Sequence, residues 1–310
     1  MIMSNNVTPL VSICSITYNH KAYIRQCLDS LLSQKTDFTY EIIINDDCST
    51  DGTTEIIKEY ASKYPNLIHP IFHDENQYSK GVRGMFAKFC FPKARGKYIA
   101  LCEGDDYWTD PLKLQKQVDF MNYNECCSLC FHHVEVLYDG VPYGGDCFSY
   151  VKPGACTLEY MLRNWVIPTC SVLYRREIHE YIPINSKFQY GDNVLFLTCF
   201  SHGLVYCVDG VMGVYRRNSG GWTMNKSTIE MMSSQYLHFN GLIESFPGLD
   251  LSILVSRVIN TATYLLVNER RNISFQVRQQ ILDNFKSYPI RFLFHLGRKV
   301  LRAFLNRLQK

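Results

Sequence analysis

No run of about 18 or more apolar residues occurs in the 310-residue chain, so no membrane-spanning helix is expected. Residues 1–9 are short and polar, too little to form the charged and apolar parts of a secretory signal. There is no internal repeat and no low-complexity tract, which removes solenoids and arrays from consideration. Charge of either sign is scarcely in excess. A net +3 argues neither for nor against a nucleic-acid partner. Cysteine is the exception, with 13 residues scattered through apolar stretches. An odd count in such surroundings suits reduced thiols in a cytoplasmic protein, where the three Asn-X-Ser/Thr sequons would stay silent. Cys127 and Cys130 have half the spacing of a zinc site. No second pair matches them, and strand alternation sends the two to opposite faces.

What the chain does contain is a repeated pattern: an apolar strand that stops at polar or acidic residues. Residues 10–19 run apolar into Thr17, Tyr18 and Asn19. Residues 41–47 end in Asn45, Asp46 and Asp47, and residues 98–106 end in Glu103, Asp105 and Asp106. Short apolar runs of this kind read as buried parallel strands, whose C-terminal ends form the ligand edge of an open α/β sheet. Three carboxylates packed together repel one another and are costly to bury unpaired. A divalent cation relieves that repulsion, and oxygen-only ligands favour Mg²⁺ or Mn²⁺. A solvated acidic turn is the plainer alternative.

Between these strands, helical spacing recurs at Ile24, Cys27, Leu28 and Leu31, with Ser49 or Thr50 expected to cap a second helix over 53–63. Helices are also expected over 81–94, 111–121 and 157–164, and strands over 67–72, 126–138 and 168–174. Beyond Trp222 the chain turns mostly helical. The division expected is therefore a catalytic domain over 1–223 and a helical region over 224–310.

The ordered set Thr17-Tyr18-Asn19, Asn45-Asp46-Asp47-Cys48-Ser49-Thr50-Asp51-Gly52-Thr53, Arg95-Gly96-Lys97 and Glu103-Gly104-Asp105-Asp106 resembles family 2 glycosyltransferases. The likeness covers roughly residues 9–222. It implies a GT-A type α/β nucleotide-binding domain with a mostly parallel mixed sheet flanked by helices, followed by the helical C-terminal region. It also implies an inverting, metal-dependent transfer of a sugar from a nucleotide-diphosphate donor, a UDP-sugar, to a glycan or lipid-linked hydroxyl in cell-surface polysaccharide synthesis. By the resemblance, Thr17, Tyr18, Asn19, Asp46 and Asp47 meet the nucleotide. Glu103, Asp105 and Asp106 occupy the Asp-X-Asp segment and hold Mn²⁺ or Mg²⁺, with Glu103 standing where Asp is usual. Asp192 matches the family's general base, with Gly191 replacing the Glu before it; an N-cap role for Asp192 is equally good chemistry. Arg216 and Arg217 match a closing basic segment that faces the diphosphate, and Asn218 stands where histidine is common. Arginines at a surface strand end would look the same.

Two other classes remain open. A sugar nucleotidyltransferase would want a glycine-rich N-terminal loop with a basic residue, which residues 11–18 do not contain. A non-catalytic glycan-binding relative would not need Asp47, Asp105, Asp106 and Asp192 together. Residues 290–308 carry Leu293, Leu296, Val300, Leu301 and Phe304 at helical spacing, among Arg291, Arg298, Lys299 and Arg302. Such a helix either lies on the anionic inner face of the cytoplasmic membrane or packs on its own domain.

Overall fold

In the computed structural model, residues 8–144, 148, 151–218, 227–269, 272–289 and 297 are described. The first elements alternate as the apolar pattern requires: β1 (Val11–Thr17), α1 (Ile24–Leu32), β2 (Tyr40–Asp46), α2 (Thr53–Lys63), β3 (Ile68–Phe72) and β4 (Tyr98–Leu101). β1 is hydrogen-bonded in parallel to both β2 and β4, and β2 to β3. β1, β2 and β4 are sealed on both faces, which is why they read as continuous apolar runs with little alternation, while β3 at the edge is only partly covered. α1 buries Ile24, Cys27, Leu28 and Leu31 against them.

After β4 come β5 (Tyr107–Trp108), α3 (Lys113–Tyr123), β6 (Cys127–Tyr138), β7 (Val141–Pro142), β8 (Gly154–Ala155), α4 (Leu158–Asn164), β9 (Leu173–Arg175), α5 (Gly191–His202) and β10 (Leu204–Arg217). The described strands make one mixed ten-stranded sheet, in the order β3-β2-β1-β4-β9-β6-β10-β5, with β7 on β6 and β8 on β10. β9 is antiparallel to both neighbours, so it splices the parallel N-terminal strands to the parallel pair β6 and β10. β10 is bulged against β6, with register shifts at Val208, Val211 and Gly213. Its far end then runs beside β5 and the acidic turn.

Four local expectations need correction. Ser49 and Thr50 do not cap α2; its N-cap is Gly52 at φ 101°, because both residues are drawn to Asn19 in the loop after β1 and Ser49 also to Asp46 at the end of β2. Residues 81–94 are not one helix. A π-helical turn at Phe86–Cys90 passes into a 3₁₀ turn at Phe91–Lys93, where Pro92 interrupts regular bonding. The strand expected over 168–174 shortens to β9, preceded by a 3₁₀ turn at Thr169–Ser171. Asp192 is the second residue of α5 and not its cap, which is Tyr190.

The chain forms two compact units, Met1–Ile182 with Tyr190–Ser219, and Pro183–Gln189 with Gly220–Lys310. The second unit contains α6 (Thr228–Ser245), α7 (Ser252–Asn268) and α8 (Phe275–Ser287). A capping box of Ser227 and Glu230 starts α6. Tyr236, Val258, Ile259, Leu265, Val277 and Ile281 fill its core, where Asn284 donates to Asn240 and to the hydroxyl of Tyr236. No helix among the described residues is long and apolar enough to cross a membrane. The basic tail over 290–310 lies outside the described residues, apart from Gly297.

Candidate active site

Three strand ends and two loops converge at the C-terminal edge of β1, β2 and β4. Directly past β4, the carboxylate oxygens of Glu103, Asp105 and Asp106 lie within 4.8 Å of one another. Asp106 is 1% exposed, yet only one of its oxygens is answered, by the Arg216 backbone N–H at 2.8 Å; the other is buried without a partner. Burial, then the charges of Asp105 and Glu103, push the Asp106 carboxyl well above the usual range. Glu103 is pushed up to about 8, first by burial and then by Asp105 and Asp192. An orphaned buried carboxylate oxygen inside a trio of hard oxygen donors fits a divalent cation such as Mg²⁺ or Mn²⁺.

Asp192 reaches the same region from the start of α5. Its charge acts on Glu103, and its own carboxyl is raised by burial, partly offset by backbone N–H groups including Asn193 at 2.8 Å. The geometry thus brings together three carboxylates past β4, and the charge of Asp192, from a distant segment, is felt at Glu103.

The expected nucleotide residues divide into those aimed at the edge and those tied into its walls. Thr17 is buried, with a hydroxyl that has no partner, while Tyr18 is 46% exposed. Asn19 takes a left-handed φ of 55°, donates its N–H to Ser49 Oγ and accepts the Thr50 N–H, each at 2.8 Å. Lys21 N–H reaches Asp51 at 2.9 Å, so the loops after β1 and β2 are laced together. Asp46 is spent inside this lacing, accepting from Ser49 and Thr54. Asp47 accepts the N–H groups of Gln77 and Tyr78 at 2.7 and 3.0 Å, which pins the loop after β3.

Arg216 and Arg217 part company, as neighbours on a strand must. Arg216 donates to the Asp105 carbonyl and to Gln26 Oε1, each at 2.5 Å, with its guanidinium between the rings of Tyr23 and Tyr107. It stabilises the acidic turn directly. Arg217 lies instead over Phe148 and Tyr215. Asn218 approaches Asp105 Oδ2 at 3.5 Å and accepts the Tyr23 hydroxyl at 3.2 Å.

Sequence reasoning missed His20, Tyr23 and Gln26. His20 Nε2 lies 3.9 Å from Asp105 Oδ2. The available signal was position: His20 lies three residues past the tip of β1, and Tyr23 and Gln26 share one turn at the start of α1.

The family model for glycosyl transferase family 2 matches residues 12–182. An uncharacterised protein of Mycobacterium tuberculosis is 40% identical over 211 residues, 68% of this chain. The match spans only 60% of that relative's own length. TuaG of Bacillus subtilis, a glycosyltransferase provisionally assigned to teichuronic acid biosynthesis, is 30% identical over 71% of this chain and 84% of its own. Among solved structures, S. aureus TarS 1–349 in complex with UDP-GlcNAc aligns at TM-score 0.61 and 15% identity, over 90% of this chain and 80% of TarS. The mannosyltransferase PcManGT of Pyrobaculum calidifontis, solved with GDP-Man and Mn²⁺, aligns at TM-score 0.56 and 15% identity, over 98% and 88%. At such identities the structural likeness speaks to the fold alone. The domain is of the GT-A kind, and the chain belongs to glycosyl transferase family 2.

Proposed function

We propose that the chain is an inverting, metal-dependent glycosyltransferase that moves a sugar from a nucleotide-diphosphate donor, a UDP-sugar, to a hydroxyl of a glycan or lipid-linked acceptor of the cell surface. The observation that carries the reading is the cluster of Glu103, Asp105 and Asp106 at the edge where the strands end, with one Asp106 oxygen buried and unanswered. TarS with UDP-GlcNAc and the teichuronic acid assignment of TuaG support the donor class and the surface glycan.

In this reading Thr17, Tyr18 and Asn19 line the nucleotide end, with Asp46 and Asp47 shaping its walls. Asp105 and Asp106, with Glu103 beside them, would hold Mn²⁺ or Mg²⁺. A cation there would neutralise the charge that gathers on the departing diphosphate. Arg216 keeps the acidic turn in place from behind. Asp192 accepts the proton of the attacking hydroxyl, and its raised affinity for protons makes it a better base than an ordinary exposed aspartate. A single displacement from the face opposite the diphosphate inverts the sugar. Residues 1–223 would form the catalytic domain and residues 224–310 the helical region, with the protein peripheral at the cytoplasmic membrane.

Screening nucleotide-sugars for donor hydrolysis, with and without chelator, tests this reading. Turnover of a UDP-sugar should stop in chelator and return with Mn²⁺ or Mg²⁺. Full activity in excess chelator would remove the metal from the scheme.

A further inference from the structure

We infer that His20 is a direct nitrogen ligand of the divalent cation at Asp105, supplied from the loop after β1. The inference rests on the metal-dependent reading above and adds a residue to it.

The geometry is specific to this loop. His20 and Asp105 are both partly buried, at 24% and 22% side-chain exposure, and His20 Nε2 lies 3.9 Å from Asp105 Oδ2. That gap is too long for a hydrogen bond. It falls within the reach of a shared ion: two atoms each about 2.1 Å from one cation stand about 3 Å apart when adjacent and at most about 4.2 Å apart when opposite, so a small side-chain adjustment would seat both. The other ring nitrogen, Nδ1, is buried with no protein partner. The imidazole is therefore not held by a hydrogen bond to the protein.

What lets the ring approach is Gly104. A Cβ there would come within 2.7 Å of the Thr17 side chain and 3.1 Å of His20 Nδ1, so any larger residue would push the loop off the acidic turn. The Asn218 amide nitrogen approaches the same Asp105 Oδ2 at 3.5 Å, while its oxygen is already engaged by the Tyr23 hydroxyl. An amide also makes a weaker transition-metal ligand than imidazole. Asp105 thus stands beside both the two other acids and His20. With Asp105 as the shared carboxylate, His20 adds a nitrogen to an otherwise all-oxygen set, which should tilt selection from Mg²⁺ toward Mn²⁺.

The test is Mn²⁺ binding to the full chain, alone and with UDP, followed by electron paramagnetic resonance. The wild-type complex should show spin-echo modulation from a coordinated nitrogen. His20→Gln should lose that modulation and at least tenfold in Mn²⁺ affinity, with less change for Mg²⁺. His20→Asp offers an oxygen in place of nitrogen and guards against a folding artefact. It should bind Mn²⁺ without the nitrogen signal. A wild-type complex lacking nitrogen modulation overturns the inference, because a histidine that only steadies Asp105 would affect affinity but leave no such signature. Asp105→Asn separates the two levels. If it leaves Mn²⁺ binding intact, the metal site itself is misassigned. If it abolishes binding while His20→Gln changes nothing, only the role of His20 falls.

Discussion

Asp192 and Glu41 show two opposite uses of a carboxylate drawn out of water. Asp192 has backbone N–H support, chiefly from Asn193, and its proton affinity is raised. Asp192→Asn keeps the shape and removes the proton acceptor, so the transfer rate should fall roughly 10²- to 10⁴-fold. Donor affinity, measured by titration with UDP, should hardly move; wild-type transfer would assign the base elsewhere. Glu41, 2% exposed, is fully answered instead. It accepts from Ser12 Oγ at 2.7 Å, Arg95 N–H at 2.9 Å, and the Arg95 guanidinium at 2.6 and 2.8 Å. Burial alone would raise its carboxyl, but Arg95 and Ser12 hold it below the usual range. A depressed carboxylate stabilises the fold above its unfolded pKa, near 4.3 for Glu, and that contribution fades as pH falls through the lowered value. Glu41→Ala should therefore cost roughly 1–3 kcal/mol at neutral pH, since the half-exposed Arg95 head can return to water while Ser12 Oγ and the Arg95 N–H cannot. Urea titrations should find the gap to wild type narrowing in acid. A gap independent of pH would mean that packing, not charge, is lost.

The turn before β4 is tighter than its sequence suggests. A Cβ on Gly96 would sit 2.5 Å from the Ser12 backbone nitrogen and 2.7 Å from the Val11 carbonyl carbon. Neither can yield without distorting β1, so Gly96→Ala should lower the melting temperature by an amount matching about 1–3 kcal/mol of overpacking. An unchanged melting temperature would show that the strand can shift freely. The elements that sequence made legible are those with a simple period and a local purpose: β1, β2, β4, α1 and α2 carry their own apolar pattern. The carboxylate trio was legible too, because β4 ends where its apolar residues end. The rest depended on distance in the chain. Arg216 braces an aspartate 111 residues away, and nothing near Arg216 in sequence announces it. Likewise, the Phe86–Cys90 turn has helical spacing, and only Pro92 and packing on β1 and β2 decide its form.

At the scale of the whole molecule, the basic tail is a separable question. If residues 290–310 meet anionic lipid, each cation near the surface contributes roughly 1 kcal/mol. Replacing Arg298, Lys299 and Arg302 with Gln should then release the protein from anionic vesicles in a flotation assay, leaving donor hydrolysis intact. High salt should mimic the change. A wild-type protein that ignores such vesicles at low salt would place the helix on its own chain instead. The central splice of the sheet bears on a different matter, the timing of synthesis. β4 gains its second neighbour only when β9 arrives, with Leu101 N–H bonded to the Val172 carbonyl at 3.2 Å. At about 5–20 residues per second on a ribosome, the intervening stretch of about 70 residues takes roughly 4–14 s to emerge. Through that interval the edge of β4 stays bare and the acidic turn lacks Arg216, which emerges later still. The nascent chain therefore passes through a period in which its most apolar strand is open to mispairing, and chaperone capture should concentrate there.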